Sequence, residues 1–436
     1  MTLDDAVARS DLDATRPDNH ETASVSGNLP PVDVAIIGAG PAGAVAAARL
    51  RKLGRSVTII ERQHFPRFSI GESLLAQSIG LMEEARLHDD VAAAGFQQKN
   101  GACFSIGDRL VPFDFSNKST AGPSDVYQVP RAAFDKVLAD GAAKAGADIH
   151  YGISVTAYAE NNDGVTLTFA NHKGETGSSL AARFVLDASG YGRVLPRLLD
   201  LDRPSDQPPR RAVFTHVRKP IDDPRFDMKK ILITVHPDHD QVWLWLIPLG
   251  DDLFSVGIVG PDEEIAATGE TPEARFHHWL GSAGLAGEWL AEATLEREVG
   301  ENRGYSCNVS QLHGQRFALL GNAAEFLDPV FSSGVTIAMK SASLAAPLVD
   351  RQLAGDTVDW HVEYDEELML GVETFRCFVN AWYDGLLQKL ILSADRNEDI
   401  TRHFISVLAG YAWDRQNPIV RNPKRFFDLM DALAVA

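Results

Sequence analysis

Val32-Asp33-Val34-Ala35-Ile36-Ile37-Gly38-Ala39-Gly40-Pro41-Ala42-Gly43 is the stretch that decides the fold. Val32 to Ile37 is a compact apolar run and reads as a buried strand. A glycine-rich turn follows at once. Residues 44–53 are alanine-rich and favour helix, and Gly54 stands where a C-cap would end it. Residues 56–60 form a second, β-branched strand that closes on Glu61, with Arg62 next in line. Together they make a βαβ unit of about thirty residues. Gly38 permits the tight turn, Gly40 lets backbone approach a pyrophosphate, and Gly43 allows close helix–strand packing. The helix N-terminus favours negative charge. Glu61, about twenty residues on, is placed to accept ribose hydroxyls. Gly38, Gly40, Ala42, Gly43, Glu61 and Arg62 are therefore the candidate nucleotide contacts. Alone, this motif fits FAD and NAD equally.

Outward from this unit, the apolar spacing of residues 71–88 predicts a helix. Strand patterns follow at 102–106 and 109–115, a helix at 132–145, and strands at 147–150, 165–169 and 184–187. Residues 212–217, 230–236, 241–249 and 253–259 alternate with polar turns and predict an antiparallel sheet. A short core strand at 317–320 and a long helix at 334–353 come next, and the chain from about residue 360 reads as helical. The expected organisation is a tail over 1–28, without fixed structure, and a discontinuous nucleotide domain over 29–200 and 300–355. A sheet domain over 201–299 interleaves with it, and a helical region covers 356–436. The fold class is α/β.

Composition narrows the function. A net charge of −19, from 41 Lys+Arg against 60 Asp+Glu, argues against general nucleic-acid binding. It leaves room for a local basic patch that meets an acidic carrier protein. Cys103, Cys307 and Cys377 are far apart and odd in number, so neither a disulfide framework nor a CxxC site is expected. The histidines lie outside any HExxH or Cys/His spacing, so no metal is expected. There is no apolar run of about 18 residues and no apolar core in the first 28, so neither a membrane span nor a signal peptide is expected. Cytoplasmic location follows as an expectation.

Several later segments resemble one family. Leu186-Asp187-Ala188-Ser189-Gly190, followed by Arg193 and Arg197, is similar to the strand-and-turn motif of flavin monooxygenases. Gly321-Asn322-Ala323-Ala324 with Asp328-Pro329 is similar to the segment that meets the ribityl chain and isoalloxazine. Many flavin hydroxylases carry Asp where this chain has Asn322. Gln128-Val129-Pro130-Arg131 resembles the segment that places an arginine near the cofactor. The resemblance implies FAD, held in a Rossmann-like domain of the para-hydroxybenzoate hydroxylase type.

Trp243-Leu244-Trp245-Leu246-Ile247-Pro248 narrows the branch. Two Trp at i and i+2 of a strand share a face, which by itself describes core aromatics as well as a site. The string also matches the WxWxIP signature of flavin-dependent halogenases, whose indoles stand between flavin and substrate. Lys99, in Lys99-Asn100-Gly101-Ala102-Cys103-Phe104, resembles the active-site lysine of that family, which hydrogen-bonds hypohalous acid or forms a haloamine. The resemblance implies halide at the backbone of Ser333 and Gly334, at the start of the long helix. Phe331 stands near where tryptophan halogenases carry a glutamate base, which implies an electron-rich substrate such as a phenol or pyrrole.

The implied chemistry is halogenation with chloride or bromide. Reduced FAD and O₂ form a C4a-hydroperoxyflavin, halide attacks it, and hypohalous acid is relayed to Lys99. Only one dinucleotide motif is present, so a separate flavin reductase is the expected electron source. The aromatic substrate is free or held on an acyl or peptidyl carrier protein. The competing readings are an aromatic monooxygenase and a geranylgeranyl-reductase-like enzyme.

Overall fold

The computed structural model describes residues 27–171, 174, 176–393 and 396–435, so the expected tail lies almost wholly outside the described residues. Its first sheet is centred on the strand Leu29–Ile37. That strand runs parallel to Val57–Glu61 on one side and to Thr176–Asp187 on the other. Parallel neighbours need a crossover, and the helix Pro41–Lys52 supplies the first. Asp148–Tyr151 and Phe317–Leu319 add further parallel pairings, and Val165–Asn171 with Ile153–Glu160 continue the sheet antiparallel. The helix Pro41–Lys52 packs between Arg131–Lys144 and Ser333–Ala354. It is buried on most sides, which is why its interior is alanine.

The second sheet runs Thr294–Leu295, Arg210–Arg218, Leu253–Pro261, Trp243–Pro248, Lys230–Val235, Gly101–Ile106, Arg109–Asp114. Gly300–Arg303 pairs with Arg210–Arg218 as well. The hairpin at 101–114 joins through a parallel pairing of Gly101–Ile106 with Lys230–Val235. Lys99 ends the short strand Gln97–Lys99 just before this hairpin, which brings it beside a sheet built mainly from residues more than a hundred positions later. Alternation divides the two faces. Val213, Leu232, Leu244, Leu246 and Val256 pack against residues of the helices Pro272–Gly281 and Leu285–Trp289. Phe214, Ile231, Ile233, Trp243, Trp245 and Ile247 face the main core.

The C-terminal part is helical, as expected, with Glu367–Tyr383 and Glu398–Leu408 its longer members beside Pro423–Val435. They cover the core face of the second sheet. Trp382 meets Phe104 at a ring separation of 5.7 Å, and Phe404 meets Phe113 at 5.6 Å.

One element departs from expectation. The apolar spacing of residues 71–88 predicts one helix, but the span holds only Gln77–Glu84 and the first residue of the next helix, His88–Ala93. Residues 71–76 instead lie along the strand Val126–Gln128: Leu74 N–H donates to Tyr127 O, Val129 N–H donates to Glu72 O, and Ser73 bridges Gln128. Gly71, at φ +101°, turns the chain into this path. The apolar spacing was real because Leu74, Leu75 and Ile79 are all buried, but tertiary pairing replaced the local helix. Among the described residues no helix is long and apolar enough to cross a membrane.

Candidate active site

The glycine turn is built by sterics. A Cβ on Gly43 would lie 1.9 Å from the Gly38 carbonyl oxygen, and one on Gly38, at φ +97°, would lie 2.6 Å from Ala188 O. Gly40 is different. The nearest protein atom to a Cβ there is Arg67 Nη2 at 3.6 Å, so the protein itself does not require glycine, and the free space faces outward from the turn. The helix Pro41–Lys52 begins at this point with no side-chain cap. Glu61 is buried beside the loop and accepts from Ala39 N–H at 2.8 Å and Gln63 N–H at 2.9 Å, one bond per oxygen. Each oxygen keeps a further acceptor position for a hydroxyl.

Two guanidinium groups share one carboxylate nearby. Arg67 Nη1 lies 2.9 Å from Asp135 Oδ2, and Arg131 donates to both Asp135 oxygens at 2.7 and 2.9 Å. Burial works against the charge of Arg131, but Asp135 outweighs it and holds the pKa above the ordinary value. Arg67 brings a guanidinium to an uncapped helix start, and Asp135 and Glu72 both face Arg131 behind it. That set fits the pyrophosphate of a dinucleotide. Arg62 is exposed, and it is Arg67 that comes near Gly40.

Asp187 is fully buried, and burial pushes its carboxyl up. Its oxygens accept from Ser189 N–H at 2.9 Å and Leu195 N–H at 2.7 Å, so it shapes the turn after its strand. Gly321 sits against the long helix, where a Cβ would be 2.8 Å from Ala338 Cβ. This close approach brings Asn322 Oδ1 to 3.9 Å from the Cβ position of Gly334, so the two ends of the segment 321–334 meet.

Asp328 Oδ1 accepts from Val330 N–H at 3.0 Å and closes the short turn Pro329–Phe331. Ser332 then adopts a left-handed conformation at φ +56°, and the helix Ser333–Ala354 begins with no side-chain cap. Its first N–H groups, at Ser333 and Gly334, therefore form an anion-compatible end next to Asn322.

Lys99 is 1 % exposed. Its Nζ donates to Ser73 Oγ and Leu74 O, both at 2.7 Å, and lies 5.4 Å from the Phe115 ring centroid. Among the described residues no carboxylate pairs with it, and burial depresses its pKa to about 7. Lys99 lines a small cavity with Ala102, Phe104, Phe115, Phe331 and Ser332. The structure thus brings Lys99 and the start of the helix at Ser333 to one place. Phe331 is buried edge-on against Phe378 and Trp382, at 5.8 and 6.1 Å.

Trp243 and Trp245 share the core face of their strand, with centroids 6.0 Å apart. Trp245 lies over Gly257 of the next strand, where a Cβ would sit 2.1 Å from Cζ2. Its Nε1–H donates to Ser255 Oγ at 3.1 Å. Neither indole borders the Lys99 cavity; Ile233, paired with Trp245 on the same sheet, does. Sequence reasoning did not single out Arg67, Phe115, Tyr305 or Tyr383 as site residues. Their local sequence assigns none of them a role, because each acts through a partner distant in the chain, although residues 378–385 around Tyr383 resemble a helix of phenol- and pyrrole-type halogenases. Among the described residues no group of three or more His, Cys, Asp or Glu is placed to hold a metal ion.

Comparison with known proteins points the same way. Residues 31–367 match the family model described as FAD binding domain. The chain is 31% identical over 330 residues to a tryptophan 2-halogenase of Chondromyces crocatus, covering 74% of this chain and 62% of that protein. It is 26% identical over 382 residues to a 1H-pyrrole-2-carbonyl-[peptidyl-carrier protein] chlorinase of Pseudomonas fluorescens, covering 80% of this chain and 83% of that one. Among solved structures, a flavoprotein/dehydrogenase from Cytophaga hutchinsonii is 40% identical with a TM-score of 0.88, over 92% of this chain and 99% of that one. CmlS, a flavin-dependent halogenase, is 30% identical with a TM-score of 0.73, over 86% and 68%.

Proposed function

Because the chain belongs to the FAD-binding-domain family and, within it, to the flavin-dependent halogenases, we propose that it halogenates an electron-rich aromatic with chloride or bromide. The observation that carries this reading is Lys99: a buried amine with no carboxylate partner among the described residues, facing a cavity that it shares with Phe331 and Ser332. A surface lysine would have no reason to be there, and a buried one with no counter-ion is costly unless it has a task.

FAD, when bound and reduced, supplies the activation of O₂. The chain's own residues do the rest. Gly40, the start of the helix Pro41–Lys52 and Arg67 hold the pyrophosphate, Arg131 fixes Asp135 behind Arg67, and Glu61 holds the ribose. The open N–H groups of Ser333 and Gly334 hold the halide, and Asn322 stands beside them. Hypohalous acid passes to Lys99. A neutral amine has two N–H groups and one lone pair. Ser73 Oγ and Leu74 O engage both N–H groups, which leaves the lone pair to take halogen from hypohalous acid as the O–halogen bond breaks and the hydroxide leaves as water with one amine proton. Trp243 and Trp245 wall off the side of the sheet beyond Ile233 and Phe104.

Phe331 places no base at the substrate, and its neighbours Phe378 and Trp382 supply none either. The substrate must then be activated by its own oxygen or nitrogen, as a phenol or pyrrole is. A substrate tethered to a carrier protein belongs to this reading, supported by the pyrrole chlorinase relative, whose substrate is carried in that way. A single dinucleotide motif supports a separate flavin reductase as the source of reduced FAD.

The test is product mass after incubation with reduced FAD, O₂, bromide and phenol- or pyrrole-type aromatics. A brominated product from the wild type, absent for Lys99→Ala with FAD still bound, is expected. An oxygenated product that forms without halide would sink the reading.

A further inference from the structure

A buried chain of hydrogen bonds joins the tryptophan wall to the turn that precedes the helix Ser333–Ala354. Trp243 Nε1–H donates to Tyr383 Oη at 3.0 Å. Tyr383 Oη–H donates to Asp328 Oδ2 at 2.9 Å. Tyr305 Oη–H donates to the same oxygen at 3.2 Å. Asp328 Oδ1 meanwhile holds Val330 N–H at 3.0 Å. The four groups come from the strand Trp243–Pro248, the C-terminal end of the helix Glu367–Tyr383, residue 305 and the segment before Ser333. Arg210 stacks on the Tyr383 ring, its Cζ 3.2 Å from the centroid, and Gln241 Nε2 donates to Tyr383 O at 2.9 Å. Tyr383 is thereby fixed from three directions.

We infer that Tyr383 is a positioning residue that couples the Trp243 indole to the halide-binding turn through Asp328. This rests on the halogenase reading above. The physical case is one of shared partners. Asp328 is 3 % exposed, so its second oxygen depends on the two phenols for stabilisation. Trp243 is equally buried, and its N–H has Tyr383 Oη as partner. Tyr383 is the one phenol of the two that serves both ends. A displacement of the indole therefore pulls on the carboxylate that shapes Pro329–Phe331, and the reverse. Burial pushes the Asp328 carboxyl up to about 6, with both tyrosines, Arg210 and the Val330 N–H facing it. The two phenols and the Val330 N–H hold the carboxylate as neutral donors, and Arg210 adds a positive charge beside it.

Tyr383→Phe and Tyr305→Phe make the decisive pair. Each is nearly isosteric and removes one hydrogen bond from the same Asp328 oxygen, but only the first breaks the link to Trp243. Halide affinity is read without turnover, from the absorbance change of bound FAD on bromide titration, and leakage is read as hydrogen peroxide released per O₂ consumed. Tyr383→Phe is expected to weaken bromide binding about tenfold, the size of one hydrogen bond to a charged group, and to raise peroxide release. Tyr305→Phe is expected to give a clearly smaller change in both. In a Trp243→Phe background the effect of Tyr383→Phe on leakage should largely vanish, because the two act as one unit. Equal effects of the two tyrosine variants, or full additivity with Trp243→Phe, overturn the inference while the halogenase reading stands. A wild type that shows no bromide response and no brominated product overturns the halogenase reading and this inference with it.

Discussion

The nucleotide cradle and the lysine cavity are built in opposite ways. The cradle is local: Gly38, Gly40, Gly43 and Glu61 lie within 24 residues, and backbone sterics require glycine at Gly38 and Gly43. The cavity is assembled from afar. Lys99, Phe331 and Leu408 line it, and Ser73 and Leu74 hold the amine, although these residues span most of the chain. The cradle therefore tolerates little change in backbone shape, whereas the cavity tolerates little change in side-chain chemistry.

The sharpest break comes at Lys99. Lys99→Met keeps the volume and removes the amine. It should reduce halogenation by about a thousandfold or more, in the range of losing an essential reactive group, while FAD stays bound, as checked by product mass and by flavin absorbance of the purified protein. If Lys99→Met loses FAD as well, cavity and cradle are not separable.

Gly43→Ala attacks the other region. A methyl 1.9 Å from the Gly38 carbonyl forces the turn apart. FAD affinity should fall about a hundredfold, consistent with an overpacking cost of roughly 1–3 kcal/mol placed directly on the loop. Titration of the apoprotein with FAD measures it, and an unaltered affinity would show that the turn is not the cofactor's support.

pH separates the regions again. With its pKa near 7, Lys99 gains its lone pair across neutrality, so halogenation should rise about tenfold from pH 6 to 8, following the fraction of neutral amine. A falling rate would assign the work to the ammonium form. Stability carries the same signature. The folded pKa of Lys99 lies below the ordinary 10.5, so between about 7 and 10.5 the unfolded chain binds the extra proton. This group's contribution is then full above 10.5 and is lost as pH falls toward 7. Denaturant titrations across that window should show a slope that Lys99→Met lacks.

The smallest effect discriminates within the cradle. Arg67→Ala should weaken FAD binding about fivefold to tenfold, the value of a charge-assisted contact, and Arg62→Ala by less than about twofold, as expected of an exposed charge. The reverse ranking would restore Arg62 as the phosphate contact.

The sequence was most legible where chemistry and backbone coincide. The unit over 32–61 reads directly because a strand, a glycine turn, a helix and a carboxylate follow one another without interruption. Lys99 and the Trp243/Trp245 pair were legible only through resemblance, since neither a lysine before a strand nor two aromatics at i and i+2 has one physical meaning. The segment 71–76 misread as helix because its apolar spacing reports burial and not the element that does the burying. Its partner, Val126–Gln128, lies some fifty residues away.

By itself, then, the sequence determined the parallel sheet, the dinucleotide turn and the shared face of the two indoles, because each depends on spacing within a single element. Only the tertiary structure decided that Arg67 and not Arg62 approaches the turn, that Lys99 is buried without a counter-ion, and that Tyr383 links Trp243 to Asp328. Those facts depend on desolvation and on hydrogen bonds between elements. Both are properties of the surroundings that a side chain acquires on folding, and a residue's own neighbours in the chain do not encode them.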